Sequence, residues 1–274
     1  MPPLHRRTGI AVVVLAFAAS LLVPAAGIAQ QAQQTPQAQQ APQPGAMSQP
    51  GASATELYHV HFVKATPGKL TELIAAYQDS PVPPGEPGRP LVFRHLQGDD
   101  WDLLVLSPLG KEETLSTSAS AEQQQWSERT RGLRAQHADT FTAGPAWADL
   151  QARLNDAPRA TGTAGTAAEP TAGRLYIVTT YRSLPGHRDQ LASVLNRVAA
   201  LYPDRRTILQ HVEGAPWEFV MLSRYDSWNA IGTDETAPPE NLRKQGFASQ
   251  EAIGTELRQH VAEHRDTIVR LATK

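Results

Sequence analysis

The chain contains one sequence pattern twice, and this internal repeat is the feature that most constrains its fold. The two copies agree in their first apolar segment, in a later segment that runs from His to Trp, and in a closing His-x-Asp-Thr motif. The matching segments are residues 57–60 (LYHV) with 175–178 (LYIV), 95–101 (HLQGDDW) with 211–217 (HVEGAPW), and 137–140 (HADT) with 264–267 (HRDT). Self-similarity of this length indicates a duplicated structural unit.

The N-terminus has the composition of a secretory signal. A basic start is followed by an apolar run from Ile10 to Val23 and by small residues that end at Ala29. This pattern predicts a signal peptide over residues 1–29 and export to the periplasm or the cell exterior. No second apolar stretch follows that could stop transfer, so we expect no membrane insertion after cleavage.

Composition also places two linkers around the repeats. Residues 30–54 are rich in Gln, Pro and Ala without apolar periodicity, which predicts a disordered linker. Residues 156–173 carry a Thr-Gly-Thr-Ala-Gly run typical of a flexible interdomain linker. The two repeats are therefore assigned to residues 55–155 and 174–274.

Charge and cysteine content exclude several classes of function. The chain has no cysteine, which excludes disulfides, thiolate metal sites and a cysteine nucleophile. The formal net charge is −2 and the charges are scattered, which disfavours nucleic-acid and membrane-surface binding.

Each repeat reads as strand, helix, hairpin, helix and a last segment that is assigned to a short strand, with the final turn of the preceding helix as the alternative. The closing helix is predicted to continue through His137 in the first repeat and through His264 in the second. The predicted strands of the two copies are residues 58–64, 91–97, 101–106 and 140–142, and residues 176–181, 207–213, 217–222 and 267–271. This βαββαβ order defines an α+β fold of the ferredoxin-like type.

In each repeat a Pro-Gly pair, at Pro67 and again at Pro185, leads from the first strand into an amphipathic helix. In this feature the chain resembles the dimeric α/β-barrel superfamily. That group includes antibiotic-biosynthesis monooxygenases and NIPSNAP-like proteins. The resemblance covers residues 56–154 and 174–274, and it implies that the tandem units pack sheet to sheet as an intramolecular barrel. It says little about chemistry, since function varies widely within one fold.

Residues retained in both copies are the candidate site. The hairpin turn and the end of the second helix are expected to meet at one edge of each sheet, which predicts a ligand pocket at a His/Trp rim in each repeat. The same side chains also fit a purely structural role, as hairpin anchors or as histidines bonded to a carbonyl. The candidate ligand-binding residues are His95, Trp101, His137, His211, Trp217 and His264.

No cofactor and no metal site is assigned from the sequence. His59 and His61 alternate on one strand and project to one face, and His95 is a conceivable third metal ligand. The second repeat has Ile177 and Thr179 at the matching positions, so this pair is not a shared feature.

Three functions stay open at this point. The first is an exported small-molecule binding protein. The second, implied by the resemblance, is a cofactor-independent monooxygenase or isomerase with His95 or His137 as general base; a haem-handling variant would use His137 or His264 as axial ligand. The third is a non-catalytic structural or interaction protein. The ligand, and whether the chain forms a homo-oligomer, are not specified by the sequence.

Overall fold

The computed structural model describes residues 55–83, 85–111, 119–155, 174–233 and 237–272. The predicted signal peptide and both predicted linkers lie outside these residues. The described part consists of a first lobe, residues 55–155, and a second lobe, residues 174–272. No helix within the described ranges is long and apolar enough to span a membrane.

Both lobes have the predicted βαββαβ order, with additional helices after the last strand of the first lobe and within the second. The first lobe contains β1 (Glu56–Ala65), α1 (Leu70–Gln78), β2 (Leu91–Gln97), β3 (Leu103–Gly110), α2 (Ala121–Arg131), β4 (Arg134–Gly144) and α3 (Trp147–Asn155). The second lobe contains β5 (Leu175–Ser183), α4 (Arg188–Ala200), β6 (Arg206–Glu213), β7 (Phe219–Tyr225), α5 (Trp228–Thr233), α6 (Pro239–Lys244), α7 (Gln250–Arg258) and β8 (Val261–Leu271).

The last strand of each lobe is much longer than the sequence suggested. β4 and β8 each contain 11 residues, and the preceding helices end at Arg131 and Arg258. The prediction that these helices continue through His137 and His264 is therefore wrong. Pairing decides the outcome, because β4 aligns with nearly the whole of β1 and β8 with β5, which satisfies the backbone groups of both strands.

The eight strands form one closed antiparallel barrel in the order β1-β3-β2-β8-β5-β7-β6-β4. Each lobe supplies four neighbouring strands. The lobes join where β2 pairs with β8 and where β4 pairs with β6. Closure leaves no strand edge of the sheet unpaired. The predicted intramolecular dimeric α/β barrel is thus confirmed.

Apolar side chains fill three regions around this sheet. The barrel interior holds Tyr58, Phe62 and Phe93 together with side chains of α3, such as Leu150. On the outer face of the first lobe, α1 packs Leu73 against strand residues of β1 to β3. The corresponding face of the second lobe is covered by α4, α6 and α7. Because strand side chains alternate between faces, each lobe has an outer space between sheet and helices that is separate from the interior.

The two hairpin glycines hold the lobes together by close backbone approach. Gly98 has φ +126°, and a Cβ atom there would lie 2.6 Å from the carbonyl oxygen of Asp266. Gly214 has φ +120°, and a Cβ atom there would overlap the carbonyl oxygen of Asp139. Each hairpin tip therefore rests on the last strand of the other lobe, and only glycine fits at either position.

Replacing Gly214 with alanine should destabilise the whole barrel. Both the positive φ and the backbone overlap at Asp139 are unfavourable, so we expect the free energy of unfolding to fall by at least about 2 kcal/mol. Urea denaturation of Gly214→Ala and of Gly132→Ala measures this, because Gly132 has φ −74° and open space around it. Equal stabilities of the two variants would contradict the close approach.

Candidate functional site

The structure brings the two predicted His/Trp pairs together around one interior side chain. The rings of His95 and Trp101 are 5.6 Å apart between centroids, and those of His211 and Trp217 are 6.1 Å apart. Both indoles contact Phe62, at 5.1 Å from Trp101 and 6.0 Å from Trp217. The pairs therefore lie on the interior face of the barrel and not at two separate rims.

Both hairpin histidines carry a buried Nε2 atom without a protein hydrogen-bond partner, His95 as well as His211. Burial, with the nearby cation of Arg188, lowers the pKa of His211 below its ordinary value. The sequence-based assignment of these histidines and of Trp101 and Trp217 to ligand binding stays a prediction.

His137 and His264 do not join the His/Trp pairs. Phe62 faces the interior, so its neighbour His61 projects to the outer face, and the ring of His137 packs edge-on against His61 at 5.1 Å. His264 stacks on Tyr181 at 6.1 Å, which packs against the outer apolar cluster of the second lobe. The expected grouping of two histidines and one tryptophan at each rim is wrong. The last histidine of each repeat lies on the last strand of its lobe and projects to the outer face of the sheet.

A cluster of three histidines around one carboxylate lies on the outer face of the first lobe; His59, His61, His137 and Asp139 are called the His–Asp cluster below. The Oδ1 atom of Asp139 is 2.8 Å from Nε2 of His59 and 3.4 Å from Nε2 of His61. Its Oδ2 atom is 2.6 Å from Nδ1 of His137. Strand pairing produces this geometry, since His61 and Asp139 are direct partners in the β1–β4 ladder.

Burial and hydrogen bonding set the charges of the cluster. Burial lowers the pKa of His61 to about 3, so this imidazole is neutral at physiological pH. Partial burial alone would raise the pKa of Asp139, but the hydrogen bond from His59 and the neighbouring His61 and His137 hold it well below its ordinary range. The cluster is thus one carboxylate anion surrounded by imidazoles.

Two further groups adjoin the cluster. The Tyr77 hydroxyl on α1 is 3.0 Å from Nδ1 of His61, and burial raises the pKa of Tyr77 to about 12. Glu86, in the segment before β2, has its pKa raised by burial to about 7, against the opposing influence of His59. A carboxyl group that titrates near neutral pH beside imidazoles can exchange protons with a bound molecule.

Sequence reasoning paired His59 with His61 but placed His137 at the His/Trp rim, and it gave Asp139 only as part of the closing His-x-Asp-Thr motif. The sequence contains two segments, His-x-His and His-x-Asp, that would indicate this cluster if both were read as strands, because alternate residues of a strand lie on one face. Reading the second segment as a helix end hid the match. Tyr77 and Glu86 carried no sequence signal, because only the packing of α1 and of the segment before β2 brings them here.

The matching region of the second lobe contains a cavity of about 380 Å³, called the second-lobe cavity. Here Ile177 and Thr179 stand in place of His59 and His61, and the Thr179 hydroxyl donates to Oδ1 of Asp266 at 2.6 Å. The lining residues are Gln97, Gly98, Ile177, Thr179, Tyr181, Val198, Arg206, Met221, Ser223, Tyr225, Asp266 and Ile268. Gln97 and Gly98 come from the first lobe, so both lobes build this cavity.

Comparison with solved structures gives the same fold. A candidate monooxygenase from Lactobacillus acidophilus NCFM aligns over 80% of this chain and 95% of its own, with 8% identity and a TM-score of 0.51. An anthrone oxidase-like protein aligns over 80% and 92%, with 16% identity and a TM-score of 0.53. A candidate monooxygenase from Fusobacterium nucleatum aligns over 80% and 94%, with 8% identity and a TM-score of 0.53.

No protein-family model and no curated protein matches the sequence. At these identities the structural likeness concerns the fold alone. The chain is a tandem dimeric α/β barrel, and the solved structures it resembles include proteins described as candidate monooxygenases.

The raised pKa of Glu86 predicts a pH-dependent stability effect. Between pH 4.5 and about 7 the folded state keeps a proton on Glu86 that the unfolded state has lost, so this residue destabilises the fold increasingly as pH rises through that window. We therefore expect the free energy of unfolding of Glu86→Gln, relative to that of wild type, to increase as pH rises from 4.5 to about 7. Above about pH 7 this difference should stay constant.

Urea denaturation at several pH values measures this difference, with Glu251→Gln as the matched control. The hydrogen bond from Ser249 lowers the pKa of Glu251, so its replacement should lose relative stability as pH rises. A Glu86→Gln difference that does not change with pH would contradict the assigned protonation of Glu86.

Proposed function

We propose that the protein is an exported small-molecule binding protein whose ligand occupies the second-lobe cavity. The observation that carries the proposal is the cavity itself, since about 380 Å³ falls within the range of about 300–1,000 Å³ that small-molecule sites have. The composition of residues 1–29 supports export.

The lining of the cavity favours a small neutral molecule with a flat or aliphatic body and a hydroxyl or carbonyl group. Ile177, Met221 and Ile268 supply apolar surface. Burial raises the pKa of Tyr181, so its hydroxyl stays protonated and able to donate a hydrogen bond. The carboxylate of Asp266, already held by Thr179, can accept one.

The ligand position differs from the one the sequence favoured. The His/Trp pairs face the barrel interior, whereas the second-lobe cavity lies on the outer face of the sheet. Gln97 belongs to the same strand as His95, but the register shifts between these two residues. This irregularity supports a role for the β2–β3 hairpin at the cavity as well as inside the barrel.

Binding should be visible at a single methyl group. The chain has three methionines, at positions 1, 47 and 221, and Met221 is the one that lies within the described residues, where it is buried in the cavity wall. With ¹³C-methyl methionine we expect small phenols and aryl ketones to shift the Met221 resonance in a saturable way. The larger side chain of Ile177→Trp should fill the cavity and weaken binding at least about tenfold.

Val212→Trp is the matched control, because Val212 is 56% exposed and its replacement leaves the cavity lining intact. It should bind like wild type. Absence of any saturable shift across the probe series, or equal binding by Ile177→Trp, would contradict the proposed ligand site.

An isomerase or cofactor-independent monooxygenase is the second candidate. The observation that favours it is Glu86, whose pKa of about 7 beside His59 suits general acid–base catalysis at neutral pH. The likeness to candidate monooxygenases points in the same direction. Catalysis would consume the phenol or aryl ketone during the Met221 experiment, and this loss should be at least about 100-fold slower in Glu86→Gln. If every phenol and aryl ketone is recovered unchanged, turnover of these compounds is excluded.

A further inference from the structure

We propose that the His–Asp cluster binds one divalent first-row transition-metal ion, of the zinc or iron(II) type, through His61, His137 and Asp139. The site belongs to the first lobe and is independent of a ligand in the second-lobe cavity. His59 lies at the same carboxylate and is available as a fourth ligand or as a hydrogen-bond partner of Asp139.

The donor atoms already have the spacing that a metal ion requires. One ligand atom each from His61, His137 and Asp139 all lie within 4.8 Å of one another. Two donors at about 2.1 Å from a tetrahedral ion are about 3.4 Å apart. Nε2 of His61 and Oδ1 of Asp139 are separated by 3.4 Å. Nδ1 of His137 is closer, at 2.6 Å from Oδ2, but this side chain is 47% exposed and can swing outward.

His61 is oriented as metal-ligating histidines are. Its Nδ1 atom is 3.0 Å from the Tyr77 hydroxyl, and its Nε2 atom is buried, without a hydrogen-bond partner, and directed at Asp139. Because Tyr77 occupies Nδ1, Nε2 is the ring atom that faces Oδ1 of Asp139 and is free to coordinate an ion there.

The type of donor selects the class of ion. Imidazole nitrogens with one carboxylate suit zinc and iron(II), whereas magnesium and calcium prefer oxygen ligands alone. Two histidines and one carboxylate are the ligand set of non-haem iron(II) sites, which keep open positions for other molecules. Asp139 is 39% exposed, so solvent or a small molecule can reach the carboxylate side of the cluster.

The second lobe provides a built-in comparison. It keeps the closing motif as His264 and Asp266, with 3.8 Å between Nε2 and the carboxylate, but it has Ile177 and Thr179 where the first lobe has two imidazoles. Because these two imidazoles are missing from the second lobe, only the first lobe has all the proposed metal ligands. The third metal ligand considered from the sequence, His95, lies on the other face of the sheet and is replaced by His137.

The test is isothermal titration of tag-free, EDTA-treated protein with zinc chloride, together with the visible absorption of the cobalt(II) form. We expect one ion per chain. His137→Gln and Asp139→Asn should each weaken zinc binding at least about 100-fold, and Tyr77→Phe, which loses the partner of His61, about 10- to 100-fold. His264→Gln, the equivalent change in the second lobe, should bind as wild type.

The proposal is overturned if wild type shows no saturable binding at one ion per chain, or if His264→Gln loses as much affinity as His137→Gln. Retention of affinity by both His137→Gln and Asp139→Asn also overturns it. Thermal unfolding without metal checks that each variant is folded. Should Asp139→Asn fail to fold, His137→Gln decides, because the His137 side chain is half exposed and lies outside the apolar core.

Discussion

Pairing of strands between the lobes is the constraint on which the rest of the structure depends. A four-stranded sheet with helices on one face has two unpaired edges and one uncovered apolar face, and the described residues of each lobe supply no further strand to cover them. The β2–β8 and β4–β6 ladders close both edges, and the two inner faces then bury each other around Phe62 and its neighbours. A tandem chain keeps both halves at high effective concentration, so closure does not require a second molecule.

Closure also determines how the two outer faces are built. Each hairpin tip lies on the last strand of the opposite lobe, with Gly98 against Asp266 and Gly214 against Asp139. The backbone of both aspartates is thereby fixed from the other lobe, while their side chains face outward. Because each outer face has its own helices, residues there can diverge without disturbing the shared interior. The outer face of the first lobe carries the His–Asp cluster, and that of the second lobe carries the second-lobe cavity.

Much of this architecture could be predicted from the repeat, because duplicated strands, Pro-Gly turns and hairpins carry local patterns. The long last strands could not. Residues 134–139 of β4 are mostly exposed and polar, so no alternation of apolar side chains identifies a strand; pairing with β1 does. That one error also misplaced His137 and concealed its contact with His61. The His/Trp pairs could be predicted because the two residues of each pair lie on neighbouring strands of one hairpin. The contact of both tryptophans with Phe62 could not, because it depends on closure of the barrel.

Because the ladders between the lobes close the sheet, we expect neither lobe to be a stable unit without the other. Equilibrium unfolding in urea, followed by one reporter in each lobe, measures this dependence. The Trp126 indole, bonded to the Ala76 carbonyl at 2.8 Å, reports on the first lobe, and the Met221 methyl group reports on the second. Our account predicts one transition with coincident midpoints and slopes for both reporters. Two separated transitions would show that the lobes fold independently and would contradict it.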